Sequence, residues 1–259
     1  MNQYELNKLQ ERATIGDVNA IIELIDFYLG ENDLKHASLE AERLKYISSP
    51  LAYRKLATLA LNGVFKSVDI KEAKDNFKKA YELGDDASGY NIALLLIKEN
   101  NILEALPYLT AGVSNDYIPS IKLLANLYIK GESISKDLEI ALALLKKVYD
   151  LGETSVVSSI GKIYYQMKNY EEAFTYFNLG AQQKDLDSIY YLGLCYATGL
   201  GTKQDFKKAK FHYEMGANLS EPRCLYNLSL YYRNGVEVEK NEVIADRLYQ
   251  QALDNGFKK

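Results

Sequence analysis

One residue, repeated, constrains this chain more than any other feature: Ala37, Ala73, Ala105, Ala141, Ala173, Ala209 and Ala245 hold the same place in seven copies of one unit. Four residues ahead of each stands Asp33, Asp69, Asn101, Asp137, Asn169, Asp205 or Asn241. Two apolar columns, four residues apart, precede them: Leu24, Leu56, Ile92, Leu124, Ile160, Leu192, Leu228, and Tyr28, Ala60, Leu96, Tyr128, Tyr164, Tyr196, Tyr232. Residues four apart share one helical face, and self-similarity at this period marks stacked helical units. The expected fold is therefore all-α: a solenoid, a right-handed superhelix of seven helix-turn-helix repeats forming one domain.

Each landmark has a physical role. Asp or Asn just before an apolar-periodic run caps a helix N-terminus, because its side-chain oxygen accepts from first-turn N–H groups. Asp69, Asn101 and Asn169 are followed three residues on by Glu72, Glu104 and Glu172, a spacing that predicts capping boxes. The alanines predict backbones too close for a larger side chain.

The gap from tyrosine column to alanine is 9 residues in three units and 13 in four, so the repeat alternates between 32 and 36 residues. In the longer units the extra residues follow Gly63, Gly131, Gly199 or Gly235, which predicts left-handed helix exits. Residues 2–16 align with a second helix alone and predict an N-terminal cap. The repeats are expected at about 19–49, 51–85, 87–117, 119–153, 155–185, 187–221 and 223–256. Pro50, Pro119 and Pro222 fall at first-helix starts, where proline is tolerated, and Pro107 is placed within the first four positions of a second helix.

The long units, LGLCYATGLGTKQDFKKAKFHYEMGA above all, resemble Sel-one-like repeats, with their LG opening, Tyr, loop Gly, Asp, then Ala and an aromatic. The short units, such as IGKIYYQMKNYEEAFTYFNLGA, resemble tetratricopeptide repeats. The resemblance implies a protein–protein interaction scaffold: a bacterial adaptor, a toxin-neutralising immunity protein, or a regulatory subunit of a larger complex.

Composition narrows the alternatives. A net charge of −4 and a pI near 5.4 argue against binding phosphate backbones. Lys203, Lys207, Lys208 and Lys210 read as a solvated helix face. The first residues carry Glu5, Lys8, Glu11 and Arg12 and lack the apolar core of a signal peptide. No apolar run is long enough to span a bilayer, so a cytoplasmic location is expected. Cys195 and Cys224 sit at registers seven residues apart on neighbouring helices, which at about 1.5 Å per residue leaves them too far apart for a disulfide. His36 and His212 stand alone, so no metal site or cofactor is expected. TGLGTKQD lacks the GxxxxGK[ST] spacing of a phosphate loop, and no nucleophile–base constellation stands out. A binding role is expected rather than an enzyme or a nucleic-acid binder.

In a two-helix array the first helices line the concave groove. Register counting places Arg54, Tyr90, Asn91, Lys122, Asn126, Lys162, Tyr165, Tyr190, Tyr191, Tyr226 and Arg233 there. Cationic and amide side chains predict an acidic partner segment, and Tyr190 and Tyr226 an apolar anchor, since Tyr and Arg dominate interface hot spots. Lys122 and Asn126 match half of the carboxylate clamp of some tetratricopeptide domains, whereas Ser159 and Asp187 stand where its other half needs an amide and a lysine. The last helix, with Val243 and Ile244 outward, is expected to be a contact face for a partner or for weak self-association.

Overall fold

None of the seven repeat alanines exposes any surface in the computed structural model, which describes residues 1–258. Fifteen α-helices follow one another and, among the described residues, no strand occurs. The cap is α1 (Gln3–Thr14). The first and second helices of the repeats are α2 (Val18–Gly30) and α3 (Leu34–Leu44), α4 (Pro50–Leu61) and α5 (Ile70–Glu82), α6 (Asp86–Lys98) and α7 (Ile102–Ser114), and α8 (Ile118–Lys130) and α9 (Leu138–Asp150). Then come α10 (Val157–Gln166) and α11 (Tyr170–Gln182), α12 (Leu186–Thr198) and α13 (Phe206–Asn218), and α14 (Pro222–Asn234) and α15 (Glu242–Asp254).

The chain divides into two compact units, residues 1–127 with 132–134, and residues 128–131 with 135 onward. In the first, α2 packs on α3, α4 on α5 and α6 on α7; in the second, α10 packs on α11, α12 on α13 and α14 on α15. The whole Leu24-to-Leu228 column is buried, as its spacing predicts.

Volume complementarity holds each pair together. Three residues before the tyrosine column and four after the alanine, one partner is large where the other is small: Ile25 with Ala41, Ala57 with Phe77, Gly161 with Phe177, Gly193 with Tyr213. A Cβ on Gly161 would lie 2.6 Å from the Phe177 ring, and one on Gly193 2.7 Å from the Tyr213 ring. At two seams between repeats in the second unit the contact is small on small. A Cβ on Gly180 would lie 2.7 Å from Ser188 Cβ, and one on Gly216 2.8 Å from Cys224 Cβ. At one seam this register holds Val148 and Val156, both buried. There the first helix is shortened, entered through a 3-10 turn over Thr154–Val156, because two branched side chains cannot approach as closely as glycine and serine.

Most caps form as expected. Asp33, Asp69, Asp137, Asp205 and Asn241 accept backbone N–H groups of their first turns, and Gly63, Gly131, Gly199 and Gly235 all have positive φ. Three expectations need correction. Asn101 and Asn169 hold the N-cap position without a side-chain bond. A reciprocal capping box forms between Asn2 and Glu5 at α1, whereas Glu72 pairs with Lys66 at 2.5 Å. Pro107 lies deeper than the first four positions of α7; the carbonyl its missing N–H leaves belongs to Leu103, which is 78% exposed and open to water.

The glycines give opposite-signed predictions. Gly161→Ala and Gly193→Ala should each destabilise by about 1–3 kcal/mol through overpacking, despite alanine's better helix propensity. Gly30→Ala, at a helical position with no atom within 4 Å of the added Cβ, should be neutral or stabilising by up to about 1 kcal/mol. Urea unfolding followed by far-UV circular dichroism measures all three.

Candidate partner-binding face

Successive first helices are tied to one another by charge. In the first unit Lys55 of α4 pairs with Asp26 of α2, and Arg54 Nη1 lies 2.7 Å from Asp85 Oδ1. Asp85 is itself the N-cap of α6, accepting from Ser88 N at 2.9 Å. In the second unit Lys162 Nζ donates to Asp187 Oδ2 at 2.6 Å, and Arg223 Nη2 donates to Asp187 Oδ1 at 2.6 Å. Arg223 Nε also donates to Glu221 Oε1 at 2.6 Å. Glu221, only 3% exposed, caps α14 through Cys224 N at 2.7 Å. The Arg223 guanidinium lies over the Tyr190 ring, 4.3 Å from its centroid, an arrangement that holds a cation and an aromatic face together.

Several residues expected on the face are therefore engaged within the chain. Arg54, Tyr90 and Tyr226 share one register, and each meets the residue that begins, or would begin, the next first helix. These partners are Asp85, Tyr117 at 6.1 Å between centroids, and Phe257 stacked at 4.3 Å. Tyr165, Tyr190 and Tyr191 form an aromatic cluster with Tyr170 and Phe177, in which Tyr191 stacks on Phe177 at 4.7 Å. Arg233 Nη2 reaches Asp246 Oδ1 at 2.6 Å, whose side chain is 74% exposed. Asn91 is half-buried on α6, and Lys122 and Asn126 lie exposed one turn apart on α8. On α15 Val243 is 80% exposed while Ile244 is half-buried.

Sequence reasoning missed Asp187, Arg223 and Glu221 as a network. The signal was available: Asp187 and Arg223 hold the same register in consecutive repeats, 36 residues apart, with opposite charge.

Both cysteines are buried with free thiols. Burial pushes the Cys195 thiol up to about 11 and raises Cys224 as well, aided by the Glu221 carboxylate. Neither is a thiolate near neutrality. Among the described residues no cluster of three or more metal-ligating side chains occurs, and no helix is long and apolar enough to cross a membrane.

Two groups predict a stepped acid response for the second unit. His212 stacks on Tyr196 at 5.6 Å with its Nδ1 buried and unpartnered; burial, then the charge of Lys208, lowers it below its ordinary 6.5. A lowered histidine resists charging in the fold, so stability is retained above 6.5 and lost as pH falls below it. For Asp187, burial acts to raise the carboxyl, but hydrogen bonds from Lys162 and Arg223 outweigh it and hold it below its ordinary 3.8. Its contribution is present above 3.8 and lost as pH falls through the lower value of the folded state. His212→Tyr, which places there the residue that repeat five carries as Tyr176, should remove the first step, and Asp187→Asn the second. Urea midpoints measured from neutral to strongly acid pH read both.

Comparison with known proteins agrees with the repeat fold. The Sel1 repeat pattern matches residues 50–85, 119–153, 160–185, 186–221 and 222–257, more than half of the chain. The third match begins inside α10, beyond the irregular Val148–Val156 seam. The chain is 31% identical over 74 residues to the ERAD-associated E3 ubiquitin-protein ligase component HRD3 of Candida glabrata, covering 29% of this chain and 9% of that protein. It is 26% identical over 209 residues to the mouse DAP3-binding cell death enhancer 1, covering 75% of this chain and 40% of that protein. It thus spans less than half the length of either relative. Among solved structures, c5321, a protective antigen of uropathogenic Escherichia coli with an SLR fold, superposes with a TM-score of 0.73 at 20% identity, covering 96% of this chain and 58% of that one. A Sel1 repeat protein from Oxalobacter formigenes superposes with a TM-score of 0.66 at 20% identity, covering 90% and 99%. At these identities the likeness shows the fold alone. The chain belongs to the Sel1 repeat family.

Proposed function

We propose that this protein is a non-catalytic, cytoplasmic scaffold that holds a protein or peptide partner on the first-helix faces of its repeats. The observation that carries the reading is the division of labour between helix layers. Second helices supply the buried alanines and, in every repeat but the first, the larger side chain of each pair, while first helices leave polar and aromatic side chains at the surface. In the first unit the exposed pair Lys122 and Asn126 suits a partner carboxylate, and Asn91 adds an amide. In the second, Tyr190, Tyr191 and Arg223 form a rigid aromatic–guanidinium patch that loses little conformational entropy on binding, a property of strong anchors.

The absence of reactive character in the buried thiols and the neutral, stacked His212 supports a binding role over catalysis. Adaptor, immunity and regulatory-subunit roles all use such a face, and the identity of the partner separates them. The exposed Val243 on α15 is the candidate contact for weak self-association.

Affinity capture with the intact chain followed by mass spectrometry should retain one partner in stoichiometric amount. Lys122→Glu with Asn126→Ala, or Tyr190→Ala with Tyr191→Ala, in variants whose helix content is unchanged, should weaken that partner's binding about tenfold or more, the loss of one or two hot-spot contacts. Unchanged affinity in both variants overturns the first-helix face as the site.

A further inference from the structure

The column that closes each first helix is large in six repeats and small in one. Tyr28, Leu96, Tyr128, Tyr164, Tyr196 and Tyr232 have Ala60 as their counterpart in the second repeat. Three of these tyrosines show what the position normally holds. Tyr164 stacks on Tyr176 of its own second helix at 5.6 Å, with Lys146 Nζ of the preceding second helix 5.6 Å from its centroid. Tyr196 meets Phe174 of the preceding second helix at 5.4 Å and His212 of its own at 5.6 Å. The Tyr28 hydroxyl accepts from Gln10 Nε2 at 3.0 Å. Gln10 on α1 and Lys146 on α9 share one register, so the Tyr28 and Tyr164 rings each meet a polar side chain of the preceding second helix, where Tyr196 meets an aromatic one.

At Ala60 that slot is a hollow of about 200 Å³. Its floor is Leu56, Leu59 and Ala60, all buried. Ser38 stands at the register of Phe174, and Glu42 at the register of Gln10 and Lys146. Phe65, 39% exposed, lies at the mouth. The third repeat makes the same point independently. Leu96 is shorter than tyrosine, and a second hollow opens beside it, lined by Lys74, Lys78 and Tyr108 at the corresponding registers.

We propose that the hollow beside Ala60 is a docking site for a tyrosyl side chain of a protein partner. A cavity of about 150 Å³ accepts benzene, so this hollow, with its apolar floor and with Glu42, Lys45, Lys66 and Glu72 around it, has room for a phenol ring. The walls are those that hold tyrosine rings elsewhere in the same chain. Glu42, now paired with Lys45 at 2.5 Å, places a carboxylate at the register where the Tyr28 hydroxyl finds Gln10, and it accepts the phenol O–H. The site lies between second helices and is separate from the first-helix faces; it rests on the scaffold reading only in taking the ring from a protein.

The test uses p-cresol, the tyrosine side chain as a free molecule, titrated into the isotopically labelled full chain and followed by NMR. Saturable shifts are expected around Ser38, Leu59 and Ala60 with a dissociation constant of about 1 mM, typical of a small fragment. Ala60→Tyr should abolish these shifts and raise the thermal midpoint, because its own ring fills the slot. Toluene, without the hydroxyl, should bind several-fold more weakly, and Glu42→Ala should remove p-cresol's advantage whether or not Ala60→Tyr folds. No saturation by about 10 mM, an order above the expected constant, overturns the proposal. So do equal binding by Ala60→Tyr and equal binding of toluene and p-cresol. No partner is present in the titration, so its failure leaves the scaffold reading to the affinity capture, and the reverse holds.

Discussion

Close backbone approach at a few small residues is the constraint on which the other features depend. The seven alanines are fully buried, and a side chain at Gly161 or Gly193 would run into the ring that fills the space opposite. These contacts fix the separation and rotation of the helices in a pair. Once rotation is fixed, the leucine column and the small positions beside it face inward, and the first-helix positions on the opposite side are left to the surface. Packing at interior density leaves little tolerance for volume changes, which is why Val148 and Val156 cost one repeat the first turn of its α-helix.

Seams between first helices use a second layer of interactions, and these bear on function. Asp187 holds two cations, and Arg223 links that carboxylate to Glu221, the buried cap of α14. Removing one member of such a network leaves the others imperfectly paired. Arg54, Lys55, Lys162 and Arg223 therefore serve first to join repeats. The partner surface we propose is smaller than a count of charges suggests: an amide and a lysine on α8, and tyrosines braced by a guanidinium on α12 and α14. In the Ala60 slot the logic is reversed, since a packing position left small becomes a binding position.

Much of this was legible in the sequence. The number of helices, their order, the N-terminal cap, the buried columns, the proline starts and the left-handed glycines all follow from a period and from local backbone chemistry. What the period could not give was the destination of individual side chains. Arg54, Lys162 and Tyr226 are placed correctly on the first helices by register, but their engagement with Asp85, Asp187 and Phe257 depends on reach across a seam. Asn101 and Asn169 show that a capping residue can hold its position without making its bond. Pro107 shows that a helix tolerates an interior proline where the orphaned carbonyl faces water. The odd member of the tyrosine column was visible from the start, but its meaning needed the neighbouring rings in place.

The most direct test of the scaffold account is hydrogen–deuterium exchange of the full chain, alone and with its captured partner. Exchange reports local opening helix by helix. The account predicts added protection on first helices, in α8 or in α12 and α14, with second helices unchanged away from the Ala60 slot. Protection confined to α9, α11 and α13, or to the long loops, would contradict it.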